Sequence, residues 1–289
     1  MNLSRHYKAL ELDKVLLMLA EETSFSDARE RALEITPSTD FERVQMLIRR
    51  TSDAHSLTAR YGSPTLLSIQ NVAGPLRRAQ VGASLSLKEL LHIAEVLRTV
   101  RGLCQWRRQC ETMGSELSQL FSCLTPNREM EEAITSAVLS EDTLADNASR
   151  DLQEIRRKIT NAGLHARHVL DKIIHSTTYQ KFLQEQIVTI RDGRFVVPVK
   201  SEYRNEVKGL VHDTSGSGAT LFIEPMSVVE ANNEIKVLRA KEKTEMERIV
   251  AALSAQAGMF ADEILDSYDA VIELDIIFAK ARLAYKMKA

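Results

Sequence analysis

The sequence predicts a mainly α-helical protein, in which a helical bundle carries a long antiparallel coiled-coil arm with a small β-rich tip. Three observations support this fold class. The chain of 289 residues holds only 11 glycines and 6 prolines, and it is rich in Leu, Ala, Glu and Arg. Apolar residues recur at helical spacing along most of its length. One stretch, residues 187–225, has instead the pattern of β-strands separated by turns.

Composition limits the functional classes. The formal net charge of −2 excludes a uniformly basic nucleic-acid binder, so any contact with nucleic acid requires a local basic patch. Cys104, Cys110 and Cys123 fit neither a zinc pattern nor a disulfide framework, and we expect reduced thiols in a cytoplasmic protein. No stretch reaches the ~20 apolar residues of a membrane helix, so we expect no membrane partner.

The first 145 residues predict the helical bundle. Thr39 with Glu42, and Ser86 with Glu89, have the spacing of capping boxes that begin helices. Residues 63–84 lack a clear period and predict an extended connection. No constellation of acid, base and nucleophile accompanies these segments. Predicted helices span residues 8–22, 26–35, 40–60, 87–111, 115–124 and 127–139.

Two later segments predict the arm. The first is a helix over residues 146–185, ~60 Å long at 1.5 Å per residue. The second continues the same spacing from Val228 to Ile264, and the two would pair as an antiparallel coiled coil. A last amphipathic segment, Tyr268–Lys288, still follows its pattern at the end of the sequence, so we expect the chain to continue beyond it. The seam of the first helix consists of Leu152, Ile155, Ile159, Ala162, Ala166, Val169 and Ile173.

The tip between these segments predicts four strands. Ile187–Ile190 and Arg194–Val199 flank an Asp-Gly pair, which is the strongest short signal for a β-hairpin. Pro198 cannot donate to a strand ladder, so its strand is expected at an edge or with a bulge. Two further strands are expected at Val207–His212 and Ala219–Ile223.

Basic residues on the tip are the candidate contacts for nucleic acid. Such residues can follow a phosphate backbone without reading bases. Asp192, Glu202 and Glu206 dilute the positive charge, and a solvated surface of mixed charge is an equal alternative. The candidates are Arg191, Arg194, Lys200, Arg204, Lys208 and His212.

Two other features are weaker candidates. The Gly/Ser-rich segment Asp213–Gly218 suits a structural turn, or alternatively an anion contact, but no lysine follows Gly218 as a nucleotide-binding loop requires. His165 and His168, with His175 further along, have no supporting pattern for a metal site. We therefore predict no catalytic, cofactor-binding or metal-binding residue in this chain.

Several segments resemble one protein family. The stretch GRFVVPVKSEYRNEVKGLVHDTSGSGATLFIEP, residues 193–225, is similar to the signature of the second bacterial branch of the MutS family, whose members lack a mismatch-reading N-terminal domain. FLQE before IVTIRDGR, and the earlier segments LELDKVLLMLAEETS, ITPSTDFERV and LSLKELLHIAEVLR, also resemble that family. The resemblance covers essentially the whole chain.

The resemblance implies a helical core and lever (residues 1–145 and 265–289) and an inserted clamp (146–264). The coiled-coil arm of the clamp would be 146–186 and 226–264, and its β tip 187–225. Family members are homodimers with an ATPase that uses ATP and Mg, and with an endonuclease domain. They are associated with binding branched DNA, suppressing homologous recombination and rescuing collided ribosomes.

The phosphate-binding loop and the nuclease residues of the family have no counterpart in this sequence. We therefore expect a part that binds nucleic acid or ribosomes and transmits motion, but does no chemistry. The alternative is a purely structural or dimerisation arm without direct contact to nucleic acid.

Overall fold

The computed structural model describes residues 9–66, 68–110 and 115–288. These residues form 11 α-helices and two small antiparallel sheets, which confirms the predicted mainly α fold with a small β element. The chain divides into two compact units. The bundle unit contains the chain up to Ala145 and from Val250 onward, and the sheet unit is Asp146–Ile249. Among the described residues, no helix combines the length and the apolar character that a membrane crossing requires.

The bundle unit is built around its last helix, α11. Apolar residues occur around the whole circumference of α11, as expected for a helix with neighbours on every side. The fully buried Phe278 of α11 meets the edge of Trp106 with ring centroids 5.5 Å apart. The helices of this unit are α1 (Leu12–Glu21), α2 (Ser26–Leu33), α3 (Phe41–Tyr61), α4 (Ala73–Gln80), α5 (Leu87–Gln109), α6 (Ser118–Ser122), α7 (Arg128–Ala137) and α11 (Ala261–Met287).

One predicted capping box is confirmed and the other is wrong. Ser86 accepts a hydrogen bond from the Glu89 amide, and the Glu89 carboxylate accepts one from the Ser86 amide at 2.9 Å. At α3 the cap is Asp40, whose carboxylate accepts from the Arg43 amide at 3.1 Å. The chain enters this helix one residue later than predicted, so Thr39 lies outside the cap position.

Two elements in the bundle unit were not predicted. Helix α4 lies within residues 63–84, which were expected to be extended, and it buries Leu76 and Ala79. A short hairpin, β1 (Val138–Ser140) with β2 (Thr143–Leu144), follows α7. Neither shows a hydrophobic period, because α4 contains a proline and the two strands of the hairpin have only three and two residues. The predicted ends at residues 8 and 111 lie outside the described residues.

The sheet unit contains two long helices and a four-stranded sheet. The helix predicted over 146–185 is wrong in length, because α8 ends at Ile174, roughly 38 Å from its start. His175 closes it, and Ser176 then begins a separate single turn of helix. The elements are α8 (Arg150–Ile174), α9 (Thr177–Gln180), β3 (Thr189–Arg191), β4 (Arg194–Lys200), β5 (Gly209–Thr214), β6 (Thr220–Pro225) and α10 (Val229–Met259), which continues past the unit boundary.

The sheet has the order β3-β4-β6-β5, with every pair antiparallel. The predicted hairpin is confirmed, since Asp192 and Gly193 both have positive φ, at 48° and 74°. The expected edge position of Pro198 is wrong, because β4 lies between β3 and β6. Proline is tolerated there because β3 pairs only with residues 194–196 of β4, so Pro198 lies past the end of that pairing. The Pro198 carbonyl accepts a hydrogen bond from the Gln184 backbone amide at 3.0 Å.

Within the sheet unit, α8 pairs with α10 in antiparallel direction. Arg156 donates to Glu242 at 2.8 Å, and the Ser149 hydroxyl, one residue before α8, donates to Glu245 at 2.6 Å. Arg248 also donates to Glu245, at 2.7 Å. The hydrogen bonds from Arg248 and then Ser149 lower the pKa of Glu245 from its ordinary 4.5 to about 2.

This carboxylate predicts how acid affects the sheet unit. A lowered pKa in the folded state stabilises the fold above pH 4.5, and that contribution is lost as the pH falls toward 2. Because Arg248 is solvent-exposed, water screens this interaction. We therefore expect its contribution to the free energy of unfolding to be on the order of 1–2 kcal/mol. In urea unfolding, the free energy of unfolding of Glu245→Gln should therefore fall less than that of wild type as the pH is lowered from 4.5 toward 2. Glu247→Gln, at an exposed neighbour, is the matched control; parallel curves for Glu245→Gln and wild type would contradict the assignment.

Candidate nucleic-acid interface on the four-stranded sheet

The two sides of the sheet differ in what they contact. On one side, Val197, Val199 and Ile223 belong to a buried cluster with Leu170 and Ile174 of α8. Because side chains alternate along a strand, Arg194, Phe222 and Glu224 lie on the opposite side. The polar contacts of the tip are concentrated there.

Glu224 is the centre of that polar side. Its carboxylate is fully buried, and it accepts hydrogen bonds from Arg194 at 2.7 Å, from His212 at 2.5 Å and from Asn232 of α10 at 2.7 Å. The side-chain amide of Asn232 also accepts from the Phe195 N–H and donates to the Phe195 carbonyl, each at 3.0 Å. A buried carboxylate is tolerated when it is satisfied in this way. The network ties strands β4, β5 and β6 to helix α10.

A β-bulge brings His212 into this network. The register of β5 with β6 shifts between Val211, opposite Ile223, and Asp213, opposite Phe222. His212 is therefore the extra residue of the strand, and a bulge of this kind changes the direction of a side chain. Two of the six candidate residues, Arg194 and His212, are thus brought together on one carboxylate.

Arg191 is a third candidate with internal partners. Its guanidinium lies 4.1 Å from the centroid of the Phe222 ring, and its Nε is 3.2 Å from an Asp213 carboxylate oxygen. The side chain keeps 40% of its exposure, so it is accessible while its charge is compensated.

Lys200, at the end of β4, has a different environment. Its ammonium donates to the Lys181 carbonyl at 3.3 Å and lies 6.0 Å from the Tyr203 ring centroid. Lys181 lies 4.8 Å from the Phe182 ring centroid. Among the described residues, neither lysine has a carboxylate within ion-pair distance.

Lys208 lies at the other end of the sheet, and the Arg204 guanidinium reaches toward that end from the turn that follows Lys200. Arg204 donates to the Gly209 carbonyl at 3.4 Å, and Lys208 is exposed just before β5. Both lack a carboxylate partner among the residues that the structure describes. Strands β4 and β5 are parallel, so the end of β4 at Lys200 and the start of β5 are separated by the roughly 16 Å between Thr220 and Pro225 of β6. The six candidates therefore do not form one patch.

The Gly/Ser-rich loop has the geometry of a turn. Gly218, at φ 74°, donates to the Ser215 carbonyl at 2.8 Å, and the Ser215 amide donates to Thr220. The Thr214 and Thr220 amides donate to side chains inside the loop. Four amides are thus engaged internally, which favours the structural interpretation over an anion contact.

Two of the three histidines, His165 and His168, lie in α8, and His175 directly follows its last residue. His165, His168 and His175 are exposed, and His175 bonds the Asp171 carbonyl of that helix at 2.8 Å. Within the described part of the chain, no three His, Cys, Asp or Glu side chains are arranged to hold a metal ion.

Sequence reasoning missed three residues that shape this region: Glu224, Asn232 and Lys181. A signal for Glu224 is present, since it stands between Ile223 and Pro225 in an otherwise apolar strand, where a carboxylate requires a partner. Asn232 and Lys181 carry no such signal, because their contacts come from tertiary structure.

Comparison with known proteins finds relatives of this chain that share one name. It is 44% identical over 280 residues to endonuclease MutS2 of Ruminiclostridium cellulolyticum, with 96% of this chain and 35% of that protein aligned. The proteins of the same name from Acetivibrio thermocellus and Clostridioides difficile are 43% and 39% identical, over 96% and 97% of this chain. No family model matches. The chain spans about a third of the length of these relatives.

Proposed function

The chain belongs to the MutS2 family, and we propose that its β tip binds the phosphate backbone of branched DNA as the non-catalytic, motion-transmitting part of an ATP-driven protein. The observation that carries the proposal is that four cations within residues 181–225 have no carboxylate partner among the described residues: Lys181, Lys200, Arg204 and Lys208. An unpaired surface cation is available to neutralise a phosphate and to release its counterion.

The spacing of these cations suits a backbone. The two ends of the sheet are roughly 16 Å apart, and one DNA strand places a phosphate every ~3.4 Å along the helix axis. One duplex can therefore offer phosphates to both ends at once. Contacts of this kind position DNA without reading its sequence.

Arg194 and His212 serve a supporting role in this proposal. Their bonds to the buried Glu224 hold the strands together, and Arg191 is balanced by Asp213. We therefore assign the phosphate contacts to Lys200, Arg204 and Lys208 with Lys181, and the shape of the tip to Arg194 and His212.

The rest of the functional assignment follows from the family. We propose a cytoplasmic homodimer whose ATPase, with ATP and Mg, and endonuclease lie in the part of the relatives that this chain does not span. Its core and lever would move clamps in response to nucleotide. In this role the protein suppresses homologous recombination and acts on collided ribosomes, whose RNA offers the same phosphate chemistry.

The salt dependence of binding tests the proposal. Replacing Lys200, Arg204 and Lys208 together with glutamine should weaken binding to a four-way DNA junction and reduce the slope of log K against log salt by about 2–3, since each phosphate contact contributes ~0.9. Fluorescence anisotropy from low to moderate salt measures both quantities.

The matched control replaces Lys236, Lys241 and Lys243, which are exposed on α10, with glutamine. It removes the same charge from another surface. Equal slopes in the two triple variants would contradict a tip contact. A triple variant at the tip that binds DNA normally but no longer dimerises would instead favour the structural arm, and a loss confined to ribosome pelleting would favour RNA.

A further inference from the structure

The bundle unit contains a cleft that the proposed DNA contact does not use. It has a volume of about 820 Å³ and lies between the segment that follows α2, helix α3 and helix α11. This volume is within the range of small-molecule sites. Its apolar lining includes Ile35, Val44, Leu47, Ile48, Ile276 and Ile277.

One lysine lies beside this apolar lining, among several other polar side chains. Lys280 of α11 is half-buried, and burial lowers the pKa of its ammonium, with only a partial opposing effect from Glu273. Among the described residues it has neither an ion pair nor a hydrogen bond. Other cations nearby on α11 are paired: Arg282 donates to Asp275 at 3.3 Å, and Lys286 contacts Glu22.

The other charged groups of the cleft lie around it on all three elements. Arg31, at its edge, is paired with Asp269 at 2.6 Å. The lining groups that carry or can carry charge, besides Lys280, are Arg31, Glu34, Arg43, His55 and Glu273. Because Asp269 compensates Arg31, the cations Arg43 and Lys280 face the carboxylates Glu34 and Glu273 in equal number.

We propose that this cleft binds a monoanionic amphiphile, an acyl carboxylate whose apolar chain lies on the isoleucine and leucine side chains while its carboxylate accepts from Lys280. A half-buried cation without a partner is less well solvated than an exposed one, and an anion provides its pairing. One unpaired ammonium compensates one negative charge, which favours a carboxylate over a doubly charged phosphate ester. The residues involved all belong to the bundle unit, so the proposal does not rest on the DNA contact.

Calorimetric titration of the 289-residue protein with decanoate and with decanol tests the head group. We expect a single site that prefers decanoate by about tenfold or more, the usual size of a hydrogen bond to a charged partner. Lys280→Met should abolish that preference, whereas Lys288→Met, at an exposed lysine near the end of the same helix, should retain it. Titration in two buffers of different ionisation enthalpy should show proton uptake in alkaline solution, and Lys280→Met should lose it.

A second variant tests the apolar part. Leu47→Trp fills the cleft but keeps Lys280, and it should lose binding of decanoate and decanol together. Circular dichroism verifies that each variant is folded, and Leu47→Trp decides the question if Lys280→Met does not fold. The proposal is overturned by equal affinity for decanoate and decanol, by unchanged decanoate binding in a folded Lys280→Met or Leu47→Trp protein, or by no binding to wild type.

Discussion

Glu224→Ala is expected to lower the free energy of unfolding of the sheet unit by roughly 3–5 kcal/mol, the largest effect of any single substitution considered for this unit. The substitution removes a fully buried carboxylate and leaves Arg194, whose side chain is 17% exposed, with the Asn233 side-chain oxygen but no compensating charge. It also leaves the side-chain NH₂ group of Asn232 with one acceptor fewer. Hydrogen exchange of the β4 and β6 amides measures this loss without requiring the two units to unfold together.

The matched control is Glu234→Ala, which removes an exposed carboxylate from α10 and should change stability by less than about 0.5 kcal/mol. In addition, Arg194→Met combined with Glu224→Leu should be far less destabilising than Glu224→Ala alone, because no buried charge is left unpaired. Similar losses for Glu224→Ala and Glu234→Ala would show that the network contributes nothing.

Gly258→Ala is expected to destabilise the bundle unit by about 1–3 kcal/mol, although alanine favours helices over glycine by ~1 kcal/mol. Gly258 lies near the end of α10, and a β-carbon there would be 2.5 Å from the Ala79 carbonyl oxygen of α4. The obstacle is backbone, which cannot rotate away as a flexible side chain can. Thermal unfolding should therefore show a lower Tm.

Gly102→Ala is the control for helix propensity. Gly102 lies inside α5, and a β-carbon there would have no other atom within 4 Å, apart from its own helix backbone and chain neighbours. This variant should be stabilised by about 0.5–1 kcal/mol. If Gly258→Ala gains stability in the same way, the close approach of α10 to α4 is incorrect.

The sequence correctly predicted those elements of the fold that depend only on neighbouring residues. The Asp192-Gly193 turn and the Ser86 capping box are properties of adjacent residues, and the structure has both. Helix α4 was missed because its residues, AGPLRRAQ, include a proline and only one large apolar side chain, Leu76, so they show no period. The end of α8 at Ile174 was missed because the chain turns there to cover the apolar side of the sheet, which is a tertiary effect.

The candidate site was only partly predictable for a similar reason. Sequence identified the basic residues, but it could not distinguish those engaged by Glu224 from those without a carboxylate partner, because the partners are far apart along the chain. Glu224 is 30 residues from Arg194, yet the two are in contact. The bulge at His212 depends on the register with β6, which neither strand specifies alone.

Site-specific photo-crosslinking tests the central claim most directly. A benzophenone side chain at Asn205, exposed between Arg204 and Lys208, should crosslink a labelled four-way DNA junction, and the yield should fall steeply as salt rises. The same group at Val237, 54% exposed on α10, should crosslink little. Equal yields at the two positions, or no crosslink at Asn205 under conditions in which the protein binds the junction, would contradict the assignment of the tip as the DNA contact.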